Sequence, residues 1–67
     1  MDRGLVVWRE LTTQYLGRTV KGSYLSRDGL MIVRTADGSE KTAQLDGSPQ
    51  IDIAERLLRE LASEGKV

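Results

Sequence analysis

Three Asp-Gly pairs occur at nine-residue intervals, and their carboxylates are candidate metal ligands. The pairs are Asp28-Gly29, Asp37-Gly38 and Asp46-Gly47. Carboxylate oxygens are the preferred ligands of Ca²⁺ and Mg²⁺. Asp-Gly is also a sequence of tight turns, and turns separated by one strand lie at opposite ends of a β-meander. Because this spacing separates successive carboxylates and no EF-hand pattern surrounds them, we predict no metal site.

The chain lacks the residues that most often perform catalysis, since it contains no His and no Cys. These residues supply the usual general base and the usual thiol nucleophile. Most of the carboxylates fall in predicted turns or on the polar side of a predicted helix, so they offer no inward-facing pair for acid–base work. The sequence therefore predicts no enzymatic activity, no catalytic or cofactor-binding residues and no cofactor.

A helix start at Gly47-Ser48-Pro49 could bind an anion on its free backbone N–H groups. Pro49 has no N–H to offer, and the nearby carboxylates of Asp46 and Asp52 repel an anion. We therefore interpret Ser48 as the N-cap of the helix rather than as part of a binding site.

The charges of the chain balance, with 10 Lys and Arg against 10 Asp and Glu. Such a chain has no long-range attraction for nucleic acid or for an anionic membrane. Weak nucleic-acid binding by a sheet face nevertheless remains an alternative function, with Tyr24 as a stacking residue. The cations for that alternative are Arg18, Lys21, Arg34 and Lys41.

The elements that must position these side chains are predicted from the turns and from hydrophobic periodicity. The Asp-Gly pairs delimit three strands, at residues 19–25, 30–36 and 39–45, which form an antiparallel β-meander. An amphipathic helix follows Pro49 and ends before Gly65, a residue suited to the C′ position. Its apolar stripe comprises Ile51, Ala54, Leu57, Leu58, Leu61 and Ala62, with Ile53 at the margin.

Residues 5–16 allow two interpretations. Helical spacing places Leu5, Trp8, Leu11, Thr12, Tyr15 and Leu16 on one face, and Gly17 suits a helix C′ position. The valines Val6 and Val7 next to Trp8 favour a strand instead. Because the helical pattern is longer, we predict an α+β fold of order αβββα, with ββββα as the alternative.

The loop lengths decide which side chains share a face of the sheet. A three-residue loop at 36–38 sets Arg34 opposite Glu40, whereas a two-residue loop sets it opposite Lys41, a like charge. We therefore predict the three-residue loop, and by analogy the same loop at 27–29. The second face of the sheet then carries Val20, Tyr24, Leu30 and Ile32.

A single domain of 67 residues buries little surface, so apolar groups on both faces of the sheet predict a partner for the second face. We expect the four residues of that face to bind a second copy of the chain or another protein. The apolar run at residues 5–8 is too short for a signal sequence or a membrane span, so we expect a cytoplasmic protein. The sequence identifies no pathway and no specific partner.

Overall fold

The computed structural model of the protein describes residues 7–65. Over this range the chain forms an antiparallel sheet of four strands in the order β1-β2-β3-β4, followed by one helix on a single face, so the fold is α+β. The elements are β1 (Arg9–Tyr15), β2 (Arg18–Arg27), β3 (Leu30–Arg34), β4 (Glu40–Gln44) and α1 (Gln50–Ser63).

The predicted N-terminal helix is wrong, and the alternative order ββββα is correct, although the strand lies further along the chain than the interpretation of residues 5–11 as a strand placed it. Residues 9–15 form β1, while Leu5 and Val6 lie outside the described residues. Leu16 and Gly17, with φ of 53° and 80°, form a two-residue turn between Tyr15 and Arg18. Gly17 therefore closes a type I′ hairpin rather than a helix, and Thr12, Thr13 and Tyr15 of β1 gain cross-strand partners on β2.

The β2–β3 turn also differs from the prediction. Asp28 and Gly29 have φ of 54° and 77°, and Arg27 pairs with Leu30, which defines a two-residue type I′ turn. The predicted three-residue loop at 27–29 is therefore wrong. Because side chains alternate along a strand, this one-residue shift exchanges the two faces of β2.

The β3–β4 loop is the predicted three-residue form at Ala36-Asp37-Gly38. The Gly38 N–H donates to the Thr35 carbonyl at 3.0 Å, and Arg34 pairs with Glu40. The Asp37 carboxylate accepts hydrogen bonds from the Ser39 N–H at 3.0 Å and from the Thr35 hydroxyl, which stabilise this loop. No such bonds form around Asp28, where the matching hydroxyl of Ser26 donates to Gln50 instead.

Helix α1 contacts all four strands and forms the core with them. Ile53, predicted at the margin of the apolar stripe, is 2% exposed, whereas Ile51 is 42% exposed and lies outside the core. The buried apolar residues are Leu11, Val20, Met31, Val33, Ile53, Ala54, Leu57, Leu58, Leu61 and Ala62.

The helix ends as predicted but begins differently. Gly65 has φ of 79°, and its N–H donates to the Ala62 carbonyl at 3.0 Å, as expected for a C′ glycine. The N-cap residue is Pro49, with no side-chain cap. Ser48 is therefore not the N-cap, because its N–H is held by Asp46 Oδ1 at 3.0 Å in the preceding turn.

Helix and sheet approach each other closely at Gly22. A Cβ atom at this position would lie 2.9 Å from the Arg34 carbonyl oxygen and 3.0 Å from a Leu58 methyl group. Neither neighbour can move without disturbing the sheet or the core. Gly22 therefore allows Leu58 to pack directly on the backbone of β2.

We predict that Gly22→Ala lowers the free energy of unfolding by about 1–3 kcal/mol, because the added methyl group overpacks this contact. Urea unfolding followed by circular dichroism measures the change. Ser23→Ala, on the opposite face of the same strand, is the control and should cost less than about 1 kcal/mol. Equal losses in the two variants would contradict the role of the Gly22 contact.

We also predict that Leu16→Asn stabilises the protein by about 1 kcal/mol, because Leu16 is 84% exposed and has a positive φ that disfavours a leucine. Leu16→Ala is the matched control, since it removes the same side chain but keeps the unfavourable backbone conformation. Thermal unfolding should show a rise in Tm for Asn alone. A similar rise for Ala would mean that the exposed side chain, not the backbone, is unfavourable.

Candidate interaction surface

The sheet has one covered face and one open face. Helix α1 covers the face to which Leu11, Val20, Met31 and Val33 contribute. No helix or strand among residues 7–65 packs on the opposite side, which we call the open face. Within residues 7–65, the side chains of the open face are therefore not covered by any other element.

Four large apolar side chains form a patch on the open face. Cross-strand pairing places Leu25 directly opposite Ile32, and Leu30 lies beside them at the end of β3. Trp8 precedes β1 and extends across the same face, where its ring lies under the Arg34 guanidinium at 4.3 Å. We define the apolar patch as Trp8, Leu25, Leu30 and Ile32; each is half-buried.

Charged groups border the patch and fix Trp8. Arg34 Nη2 lies 2.6 Å from Glu40 Oε2, and Arg34 Nε donates to the same oxygen at 2.8 Å. The Trp8 ring adds a cation–π contact of about 0.5–1 kcal/mol to this exposed ion pair. Positive and negative charge thus lie side by side next to the apolar surface.

The structure divides the predicted association face between the two sides of the sheet. Leu30 and Ile32 lie together on the open face. Val20 is 3% exposed and Tyr24 packs against the core, both on the helix side. Sequence reasoning missed Leu25 because it assigned the wrong loop at 27–29, and the alternative turn length was the signal that would have found it. It missed Trp8 because it placed this residue in an N-terminal helix.

The four cations of the nucleic-acid alternative do not all meet at one site, although Lys21 lines one pocket with Arg18 and another with Arg34. Lys41 lies on the helix side with Glu60 at 3.7 Å and an ion pair to Glu64, and Glu64 raises the pKa of Lys41. Arg34 is paired with Glu40 on the open face. Lys21 lies on β2 and also faces the open side. Arg18 is the first residue of β2, where it pairs with Tyr15 next to the β1–β2 turn. Tyr24 is on the helix side, so these residues form no common surface with it.

The three Asp residues of the turns do not meet either. Within residues 7–65, no group of three or more His, Cys, Asp or Glu side chains could hold a metal ion. Asp37 lies in the β3–β4 turn, at the end of the sheet opposite the β2–β3 turn that contains Asp28. In the same range, no helix is long and apolar enough to cross a membrane.

Comparison with protein-family models, with curated proteins and with solved structures finds no significant match for this chain. The function of this protein is therefore inferred from the geometry of the chain itself.

The turn before α1 makes stability depend on pH. The hydroxyl and the N–H of Ser48 hydrogen-bond to the Asp46 carboxylate and lower its pKa below 3.8. A carboxyl group with a lowered folded-state pKa stabilises the protein above its unfolded pKa, and this contribution disappears as the pH falls through the folded-state value.

We predict that wild type loses this contribution to stability as the pH falls below about 5 and through the lowered pKa of Asp46, whereas Asp46→Asn does not, because an amide still accepts hydrogen bonds but cannot be protonated. The measurement is the difference in unfolding free energy between the two proteins across this range. That difference should shrink as the pH falls. A constant difference would contradict the assigned role of Asp46.

Proposed function

We propose that this protein is a non-enzymatic interaction module that forms a homodimer through the open face of its sheet. The observation that carries the proposal is the apolar patch of Trp8, Leu25, Leu30 and Ile32, which lies on a face that no described element covers. Large apolar side chains grouped on one surface are typical of protein interfaces.

The size of the chain supports a partner for this face. A stable interface buries about 800 Å² on each partner. For this chain, that area is about a fifth of its accessible surface of 4398 Å². The two longer dimensions of the described structure are 43 Å and 26 Å, so one face is large enough for an interface of that size. Burial of the patch would add apolar contacts to a core of limited size.

The charges next to the patch favour a second copy over a partner of one charge sign. In a two-fold interface each residue of one copy meets the symmetry-related surface of the other. Arg34 and Glu40 lie directly opposite each other on β3 and β4, so the Arg34 of each copy can face the Glu40 of the other. The formal net charge of zero adds no overall repulsion between copies.

Sedimentation velocity at two concentrations differing about fiftyfold tests the proposal. Wild type should approach 15 kDa, twice the 7.5 kDa of one chain, at the higher concentration. Ile32→Lys places a charge in the middle of the patch and should leave a 7.5 kDa monomer. Gln14→Lys adds the same charge on the same face at the far end of β1 and should still dimerise.

A wild-type monomer at both concentrations would overturn the proposal, as would equal weakening by the two lysine variants. Circular dichroism establishes that Ile32→Lys remains folded. Fluorescence titration with single-stranded DNA tests the alternative function. A wild-type monomer that binds DNA with an affinity falling steeply between about 50 and about 200 mM salt would favour the nucleic-acid binder instead.

A further inference from the structure

Strand β2 has a free edge along half of its length. It contains 10 residues, of which residues 23–27 pair with β3. On its other side, residues 18–24 pair with β1. In the described part of the chain, residues 18–22 therefore pair with a strand on the β1 side alone. On their other side, β3 ends at Arg34 and no strand among residues 7–65 continues its line. We call this segment the β2 edge.

The backbone of the β2 edge presents hydrogen-bonding groups toward this gap. In two-residue hairpins the residues next to the turn form a hydrogen-bonded pair, which here is Arg27 with Leu30. Along a strand, the N–H and C=O groups of every second residue point to the same neighbouring strand. The backbone N–H and C=O groups of Ser23, Lys21 and Thr19 therefore point, like those of Arg27, toward the β3 side. Ser23 has Arg34 as its partner, whereas within residues 7–65 no strand lies opposite Lys21 and Thr19 on this side.

A cavity of about 470 Å³ lies along this edge. Its volume falls within the range of ligand-binding pockets. One wall is β2, and the other comes from the β3–β4 turn and from the end of α1. The residues that line it are Arg18, Thr19, Val20, Lys21, Ala36, Asp37 and Gly65. The cavity therefore has the position and the backbone wall that an additional strand needs.

We propose that the β2 edge binds an extended acidic peptide of a partner protein, which adds a strand in line with β3. Strand addition of this kind takes affinity from main-chain hydrogen bonds and specificity from alternate side chains. Thr19 and Lys21 would supply two N–H donors and two carbonyl acceptors. The site is separate from the apolar patch, so the inference goes beyond the proposed homodimer and does not depend on it.

Charge selects the acidic peptide. Lys21 is exposed on the open face and forms no ion pair within residues 7–65. The nearby Asp37 carboxylate already accepts hydrogen bonds from Ser39 and Thr35. A carboxylate on the added strand, opposite Lys21 and on the same face, would form a cross-strand pair of opposite charge. The alternate side chains would point toward buried Val20 and favour apolar residues.

A second copy fits this edge less well than a peptide. The strands of this chain are joined by short turns, such as Leu16-Gly17 between β1 and β2. A strand of a second copy that entered the gap would bring its turn or its neighbouring strand against the end of β3. A peptide with free ends has no such neighbours, so it can use the full length of the gap.

The test uses fluorescein-labelled peptides of about seven residues, in which Val alternates with either Glu or Lys. Fluorescence anisotropy should show saturable binding of the Glu peptide, at least about tenfold tighter than that of the Lys peptide. A Glu peptide N-methylated on the residues that face β2 should lose binding. Amide hydrogen exchange of Thr19 and Lys21 should slow when the Glu peptide binds.

Lys21→Glu should weaken the Glu peptide and strengthen the Lys peptide. Arg27→Glu is the matched control, because it makes the same charge change on the same strand and face, where β3 already pairs. Equal effects of the two variants, equal binding of the N-methylated peptide, or no saturable binding would overturn the proposal.

Ile32→Lys separates this proposal from the homodimer, since a monomeric variant should still bind the Glu peptide. Loss of peptide binding together with dimerisation in folded Ile32→Lys would contradict a separate site. A 15 kDa species of folded Ile32→Lys that the Glu peptide converts to 7.5 kDa chains would overturn the proposal, because it would identify a second copy as the occupant of the β2 edge.

Discussion

The register of β2 against β3 is the constraint on which the rest of the structure depends. The two-residue turn at Asp28-Gly29 pairs Arg27 with Leu30, and side-chain alternation then fixes every position along β2. Val20 and Gly22 face the helix, and Leu25 faces the open side. A turn one residue longer would bring Leu25 under α1 and expose Val20. The core, the helix position and the apolar patch all follow from this one pairing.

Helix α1 uses that register in two ways. Over the middle of the sheet, Leu58 packs on the backbone of Gly22, where a side chain would prevent the contact. Near the sheet edges, polar side chains of the helix bond to the outer strands and fix its orientation. Arg59 donates to the Thr13 hydroxyl at 3.0 Å on β1, and Glu60 lies 3.7 Å from Lys41 on β4. Close apolar packing stabilises the centre of the contact and the polar contacts orient the helix. The described residues 7–65 provide no second helix for the other face of the sheet.

The two proposed binding surfaces have separate physical origins. The apolar patch exists because a four-stranded sheet has two faces and α1 covers one. The β2 edge exists because the β1–β2 hairpin is longer than the β3–β4 hairpin, so strand pairing ends at Arg34 while β2 continues. One surface offers apolar side chains, and the other offers main-chain hydrogen bonds. We propose a second copy for the first surface because Arg34 and Glu40 beside it are of opposite charge, and an extended peptide for the second because its groups belong to the main chain.

The sequence by itself determined the features that depend on neighbouring residues. These are the strands between Asp-Gly turns, the C-terminal helix with its stop at Gly65, and the three-residue loop that sets Arg34 opposite Glu40. Only the tertiary structure decided the strand at residues 9–15 and the faces of β2, and with them the members of the apolar patch. Asp-Gly fits turns of either length, and a strand can show helical spacing by chance. The pairing with neighbouring strands and the packing of α1 select one register, and those contacts join residues that are distant in the chain.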